Sequence, residues 1–324
     1  APEIECNNFS LGCRGVAALS DFLVYLPNLQ MVCLRGNNIL EQGGTSLAKG
    51  LRKCPQLCIL RLDDNKIGAA GAVNLSEVIH MGKFKLREFT ISNNKLNDSS
   101  VACLIDALVR QRLVHTLDFG GNFTSDASAE SLCVCVRDNV RLKDLNLRWG
   151  HIRGTGAADF AGSLHYSKTL TKLDISWNGF GDIRPIEALG EYLKREGCTL
   201  THLDVSHNRI KEKSACVLAL KLTSNKSLSH LVLDGNPLGM FGSRRVVMAC
   251  IGADAHLEEG TGISDKSSSI NVSMQNCAAG VANASLFDPA EPAGEYVLDM
   301  SDPYSQMVVS DLLQLEAMGK GEFV

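Results

Sequence analysis

The sequence predicts an α/β fold: a right-handed solenoid of stacked strand–helix units, with a parallel sheet on its concave side and helices on its convex side. Three observations predict it. A short apolar-x-apolar motif ending in asparagine recurs at a nearly constant interval along the chain. Between motifs, apolar residues return at helical spacing. The composition, 45% apolar and 21% charged over 324 residues, is that of a chain able to bury a large core.

The motif appears as LRGNNI (34–39), LDDNKI (62–67), ISNNKL (91–96), FGGNFT (119–124), LRWGHI (147–152), ISWNGF (175–180), VSHNRI (205–210) and LDGNPL (233–238). With the apolar residues upstream, each reads LxxLxLxxNxL. The asparagine position falls at Asn37, Asn65, Asn94, Asn122, Gly150, Asn178, Asn208 and Asn236, in steps of 28, 29, 28, 28, 28, 30 and 28. Asn7 is expected to extend the series backwards by 30, and Gln275 and Pro303 forwards by 39 and 28. That gives eleven units: eight well formed, one truncated and two degenerate.

Each element has a local reason. In LxL the two apolar residues point to one side of a short strand. The asparagine amide that follows can bond the exposed backbone of the turn. Stretches such as 43–54 and 71–80 carry the apolar spacing of an amphipathic helix. A strand and a helix in 28 residues cannot close a core alone, so the units must stack, and the wider helices place the strands on the inside of the curve.

This grammar resembles the ribonuclease-inhibitor-like subfamily of leucine-rich-repeat proteins, closely over about residues 1–252 and loosely over 264–318. The resemblance implies protein recognition on the concave face, in cytosolic, cytoskeletal or axonemal settings. It implies an alternative as well: a GTPase-activating regulator like the Ran-directed family, although no acidic run here exceeds two residues, as at Glu258-Glu259, a departure from that family's acidic tail.

The expected organisation is repeats over 1–252, a polar insertion and degenerate repeat over 253–295, and a terminal strand and capping helix over 296–324, the helix starting at Asp302 and Pro303. The opening, without an initiator Met, suggests a processed or truncated chain.

A formal charge of -4 gives no bulk attraction to nucleic acid or to anionic membranes, and no stretch is long and apolar enough to span a bilayer. Twelve scattered cysteines without paired CxxC spacing fit free thiols in the cytoplasm better than a disulfide framework, although seven Asn-x-Ser/Thr sequons point the other way. No nucleotide-binding, metalloprotease or serine-hydrolase motif is present; DDNKIG (63–68) mimics the start of a calcium loop but has Asn74 where a bidentate Glu belongs. The expectation is a non-enzymatic interaction module or scaffold subunit with no cofactor, metal or small-molecule substrate.

Solvent-facing strand positions form columns across the repeats. Acid concentrates at Asp118, Asp144, Asp174, Asp204 and Asp234, relieved by Arg148 and Lys172. This reads either as tolerated polar surface or as a cradle for a partner's basic segment. Both tryptophans, Trp149 and Trp177, stand in one column just before the asparagine, followed by His207. They are candidate hot spots for a protein partner, or rings that stack to cover the gap at Gly150. The partner-binding set is Trp149, Trp177, His207, Arg148, Asp118, Asp144, Asp174 and Asp204. His202 and His230 fall side by side, a geometry that suits a metal or a pH response but is commoner as wet surface. Cys33 is expected to face solvent.

Overall fold

The computed structural model describes residues 2–82, 84–251 and 270–277. The polar segment 258–269, the unit at Pro303 and the C-terminal helix lie outside these residues.

Among the described residues, ten three-residue strands form one parallel sheet in strict chain order. They are β1 (Glu3–Glu5), β2 (Met31–Cys33), β3 (Ile59–Arg61), β4 (Glu88–Thr90), β5 (Thr116–Asp118), β6 (Asp144–Asn146), β7 (Lys172–Asp174), β8 (His202–Asp204), β9 (His230–Val232) and β10 (Asn271–Ser273). Nine α-helices among the described residues connect them: α1 (Gly12–Phe22), α2 (Leu40–Leu51), α3 (Gly68–Met81), α4 (Asp98–Gln111), α5 (Asp126–Asp138), α6 (Gly154–Ser163), α7 (Ile183–Lys194), α8 (Glu212–Leu222) and α9 (Gly239–Ile251). Each strand and each helix packs on its sequence neighbours, so the chain is a solenoid with the helices as its outer layer.

One continuous core runs between the two layers. It is built from the motif's apolar positions, such as Leu60, Leu62 and Ile67 of one repeat, and from the inner helix face, such as Leu75 and Ile79 of α3. Two of the helices, α4 and α5, begin at a side-chain cap. Asn97 caps α4 by accepting from the Ser100 amide at 3.1 Å, while Ser100 Oγ accepts from the Asn97 amide at 3.1 Å. An acid at one helix start also bonds the next repeat: Asp98 accepts from the Ser125 amide at 2.6 Å and Asp126 from the Arg153 amide at 2.8 Å.

The asparagine ladder holds the turns together. Asn94 is buried; its Nδ2 donates to the carbonyls of Leu62, Ile91 and Ser92 at 2.8, 3.1 and 2.8 Å, and its Oδ1 accepts from the Ile67 amide at 3.1 Å. One side chain thus stitches two repeats. This accounts for DDNKIG without calcium: Asn65 is a ladder residue, and Asp63 accepts from Thr90 Oγ1 and from the amide and hydroxyl of Ser92.

Strand register corrects the ends of the series. Glu3 pairs with Met31, so the ladder position of the first repeat is Phe9 rather than Asn7, and the Phe9 amide donates to Asn37 Oδ1 at 3.0 Å as the register requires. Asn7 instead accepts from the Arg35 amide at 2.9 Å. At the other end, Asn271 pairs with His230, which puts Cys277 rather than Gln275 opposite Asn236. The Cys277 thiol donates to the Leu233 carbonyl at 3.1 Å, the bond that Asn236 makes to Val205 at 2.9 Å one repeat earlier. A thiol serves there because one donor suffices.

All twelve cysteines are free thiols. Cys33 is buried and not solvent-facing; burial is the main reason its thiol is pushed up, with the nearby Arg61 opposing the rise and Glu5 and Glu88 adding to it. Among the described residues no helix is long and apolar enough to cross a membrane.

Candidate functional site: a stacked aromatic edge and its cleft

The residues just before the ladder share a backbone conformation. Gly36, Asp64, Asn93, Gly121, Trp149, Trp177, His207 and Gly235 all have positive φ, between 52° and 68°. In this left-handed turn each side chain leans toward the following repeat. A Cβ on Gly121 would stand 1.8 Å from Asn93 Oδ1, and one on Gly235 would stand 2.2 Å from the His207 ring. Gly, Asn and Asp suit such a turn, whereas a bulky ring is strained in it.

The two tryptophans and His207 form one stack. Trp149 and Trp177 have centroids 4.2 Å apart at 10°, and Trp177 and His207 are 3.8 Å apart at 18°. Trp149 is 49% exposed and Trp177 38%, so the rings lie along the rim of the sheet rather than in the core. The interruption at Gly150 does not need them. A Cβ there would stand 2.4 Å from Thr124 Oγ1, and Thr124 is buried where the other repeats carry Ile, Leu or Phe. The Thr124 side chain occupies the space left by the missing amide.

A second aromatic pair, Phe123 and His151, stacks at 4.2 Å and 17° on the far side of the turn. Between it and the strand ends opens a cleft of about 530 Å³ that reaches from Asn93 to Trp149 and contains Asp118, Gly120, Gly121, Asn146 and Arg148.

The acidic column has a structural task that its sequence pattern did not reveal. Where most of the strands end, the amide two residues on lacks a sheet partner and takes a side-chain acceptor instead. Asp118 accepts from the Gly120 amide at 2.8 Å, Asn146 from Arg148 at 2.9 Å, Asp174 from Ser176 at 2.9 Å and Asp204 from Ser206 at 2.9 Å. Asp234 does the same across repeats, accepting from the Gln275 amide at 2.7 Å. The carboxylates are nonetheless electrostatically uncomfortable. Burial pushes Asp118 up to about 6, with Asp63 and Asp174 adding to the rise and the Gly120 and Asn146 hydrogen bonds opposing it. Burial also raises Asp144, against Lys172, and Asp204, against the hydrogen bonds from Ser206.

Comparison with known proteins supplies the family. The family model described as "Leucine Rich repeat" matches residues 166–183 and 198–219. The ribonuclease inhibitor of Sus scrofa is 29% identical over 252 residues, 76% of this chain and 54% of that protein. "NACHT, LRR and PYD domains-containing protein 12" of Mus musculus is 28% identical over 239 residues, covering 73% of this chain and 23% of that one. This is a leucine-rich-repeat protein of the ribonuclease-inhibitor-like type. A third relative, the mouse Tonsoku-like protein, is 29% identical over 221 residues, 64% of this chain and 16% of that protein. The chain thus spans about half the length of the ribonuclease inhibitor and under a quarter of the other two.

Within the leucine-rich-repeat frame, the structure brings together Trp149, Trp177 and His207, and sets Arg148 and Asp118 at the cleft beside them. Asp174 and Asp204 are register partners in the row below the stack, whereas Asp144 lies at the start of its strand beside Lys172. Phe123 and His151 escaped the sequence reading, though both follow a ladder position directly and so share a column. His202 and His230 do stack, at 4.3 Å and 6°, with each Nδ1 engaged by the preceding hydroxyl, of Thr201 or Ser229. Among the described residues no group of three or more metal-binding side chains is gathered at one point.

Proposed function

We propose that this chain is a non-enzymatic interaction module, a scaffold subunit of a larger cytosolic assembly, and that it grips a protein partner with the Trp149–Trp177–His207 edge and the adjoining concave face. One observation carries the reading. Two half-exposed tryptophans occupy left-handed backbone positions that most other repeats give to Gly, Asn or Asp, and neither core packing nor the gap at Gly150 requires them. A conformation that disfavours the ring, kept with the ring outside the core, is best explained by what the ring touches in a complex, and Trp is the residue most enriched at hot spots. The acids at the rim favour a basic segment and disfavour acidic competitors. A relative named as an inhibitor of ribonuclease acts on a protein, and its likeness to this chain supports the same class of partner.

Affinity capture compared between the wild type, the double variant Trp149→Ala/Trp177→Ala and the convex-face variant Glu187→Ala tests the proposal. A protein retained by the wild type and Glu187→Ala but lost from the double variant is the expected result. An identical captured set for all three refutes it.

A further inference from the structure

We infer that the cleft beside Trp149 is a socket for one arginine side chain of the partner, its guanidinium lying on the free face of the Trp149 ring and its N–H groups turned to the Asp118 carboxylate. This rests on the reading of the aromatic edge as a binding surface and names what enters it.

The first argument is geometric. The stack is closed at one end, where the His207 ring covers the space a Gly235 Cβ would take, and open at the other. Gly121 offers no side chain to the outer face of Trp149, and Asn93 fills only the near side of Gly121. Neighbouring parallel strands lie about 5 Å apart, so the column has a vacancy of one repeat, bounded by Asn93, Phe123 and Trp149.

The second argument is charge. Asp118 lines the cleft, and among the described residues it has no ion-pair partner, while Asp63 and Asp174 add negative potential to it. Of the two arginines at the cleft, Arg35 is held by Asp64 at 3.0 Å, and the stem of Arg148 lies across Gly120, 3.1 Å from where a Cβ would stand. An incoming cation therefore meets an acid that lacks one.

The third argument is shape. A neutral ring would extend the stack but leave Asp118 unpaired. An ammonium is a compact, strongly hydrated charge with no flat face. A guanidinium is planar, stacks on indole and donates from its edge.

The chain has only two tryptophans, so its labelled indole N–H spectrum holds two signals, assignable with Trp149→Phe and Trp177→Phe. Acetyl-Gly-Arg-Gly-amide, its lysine counterpart and its citrulline counterpart are titrated into the full chain at pH 8. The expected result is a saturable shift of the Trp149 signal by the arginine peptide, at least about fivefold tighter than by the lysine or citrulline peptide. Asp118→Asn should weaken it by about tenfold. Moving the turn amide one repeat along, with Asn93→Gly/Gly121→Asn, should abolish it by filling the vacancy, with circular dichroism confirming the fold. Equal response to arginine and lysine, persistence of the shift in the filled variant, or no saturable shift with any peptide overturns the socket. Failure of the interface reading is registered separately, as partner capture that is indifferent to Trp177→Ala.

Discussion

The rings of Trp177 and His207 lie 3.8 Å apart on residues that both have positive φ, 56° and 52°. A bulky side chain in that conformation costs on the order of 1 kcal/mol, and an aromatic pair returns about the same. Stability therefore barely depends on the stack. Trp177→Ala should lower partner affinity by about 2 kcal/mol, a typical hot-spot value. Trp177→Gly, which also relieves the backbone, should shift the melting temperature by no more than a few degrees. A variant that unfolds while residual binding is unchanged would assign the rings to repeat packing.

The buried amide of Asn94 serves three carbonyls and one amide. Asn94→Ala leaves the Ile67 amide without its acceptor and takes one donor from each carbonyl, which keep those of Asn65, Asn122 and Asp64; it should cost about 1–3 kcal/mol, seen as a lower urea midpoint. Asn7→Ala should cost far less, since its side chain is half-buried, off the ladder and in exposed hydrogen bonds.

Gly150 and Thr124 form a compensating pair, and the two departures from the repeat should be coupled. Gly150→Asn alone drives a Cβ to within 2.4 Å of the Thr124 hydroxyl, for a loss of about 1–3 kcal/mol. Adding Thr124→Ile restores the combination found at Ile39 and Asn65. A double-mutant cycle should give a favourable coupling of about 1 kcal/mol or more; additive losses would show that the sites are independent.

Asp118 makes stability depend on pH in a defined direction. Its carboxyl is raised to about 6 from an ordinary 3.8, so the folded chain holds this proton more tightly than the unfolded one. The stabilisation is fully present below about pH 4 and is lost as pH rises through about 6. The groups acting on it are Asp63 and Asp174, which repel its charge, and Gly120 and Asn146, which donate to it. Asp118→Asn should therefore melt higher than the wild type at pH 8, by on the order of 1 kcal/mol for a half-buried group, with the difference vanishing near pH 4. A variant less stable at pH 8 would reverse the sign.

The thiol state is checked by mass after alkylation under denaturing conditions without reductant. Twelve modified cysteines are expected, matching the twelve free thiols of the structure.

Sequence periodicity was enough to place the strands, the helices and the ladder, because a repeat must present the same apolar side to each neighbour. It misplaced the two ends, at Asn7 and Gln275, because Phe9 and Cys277 hold the ladder position without its usual amide. The tryptophan column was legible from its spacing alone. The role of the acids was not, since the amides of Gly120, Ser176 and Ser206 become partnerless only where the strands stop at their third residue. Thr124 reads as an ordinary polar exception until Gly150 is seen to leave room for it.

The interruption at Gly150 also has a mechanical side. Among the described residues four ladder asparagines lie before it and three after, each tying its repeat to the one behind, and the seam between Asn122 and Gly150 lacks that tie. Under tension, a structure joined only neighbour to neighbour yields first at its weakest junction. The cleft between Asn93 and Trp149 straddles that seam. A ligand seated in it would act as a splint, fixing the bend angle between the two arms of the arc and turning a compliant spring into a stiff one.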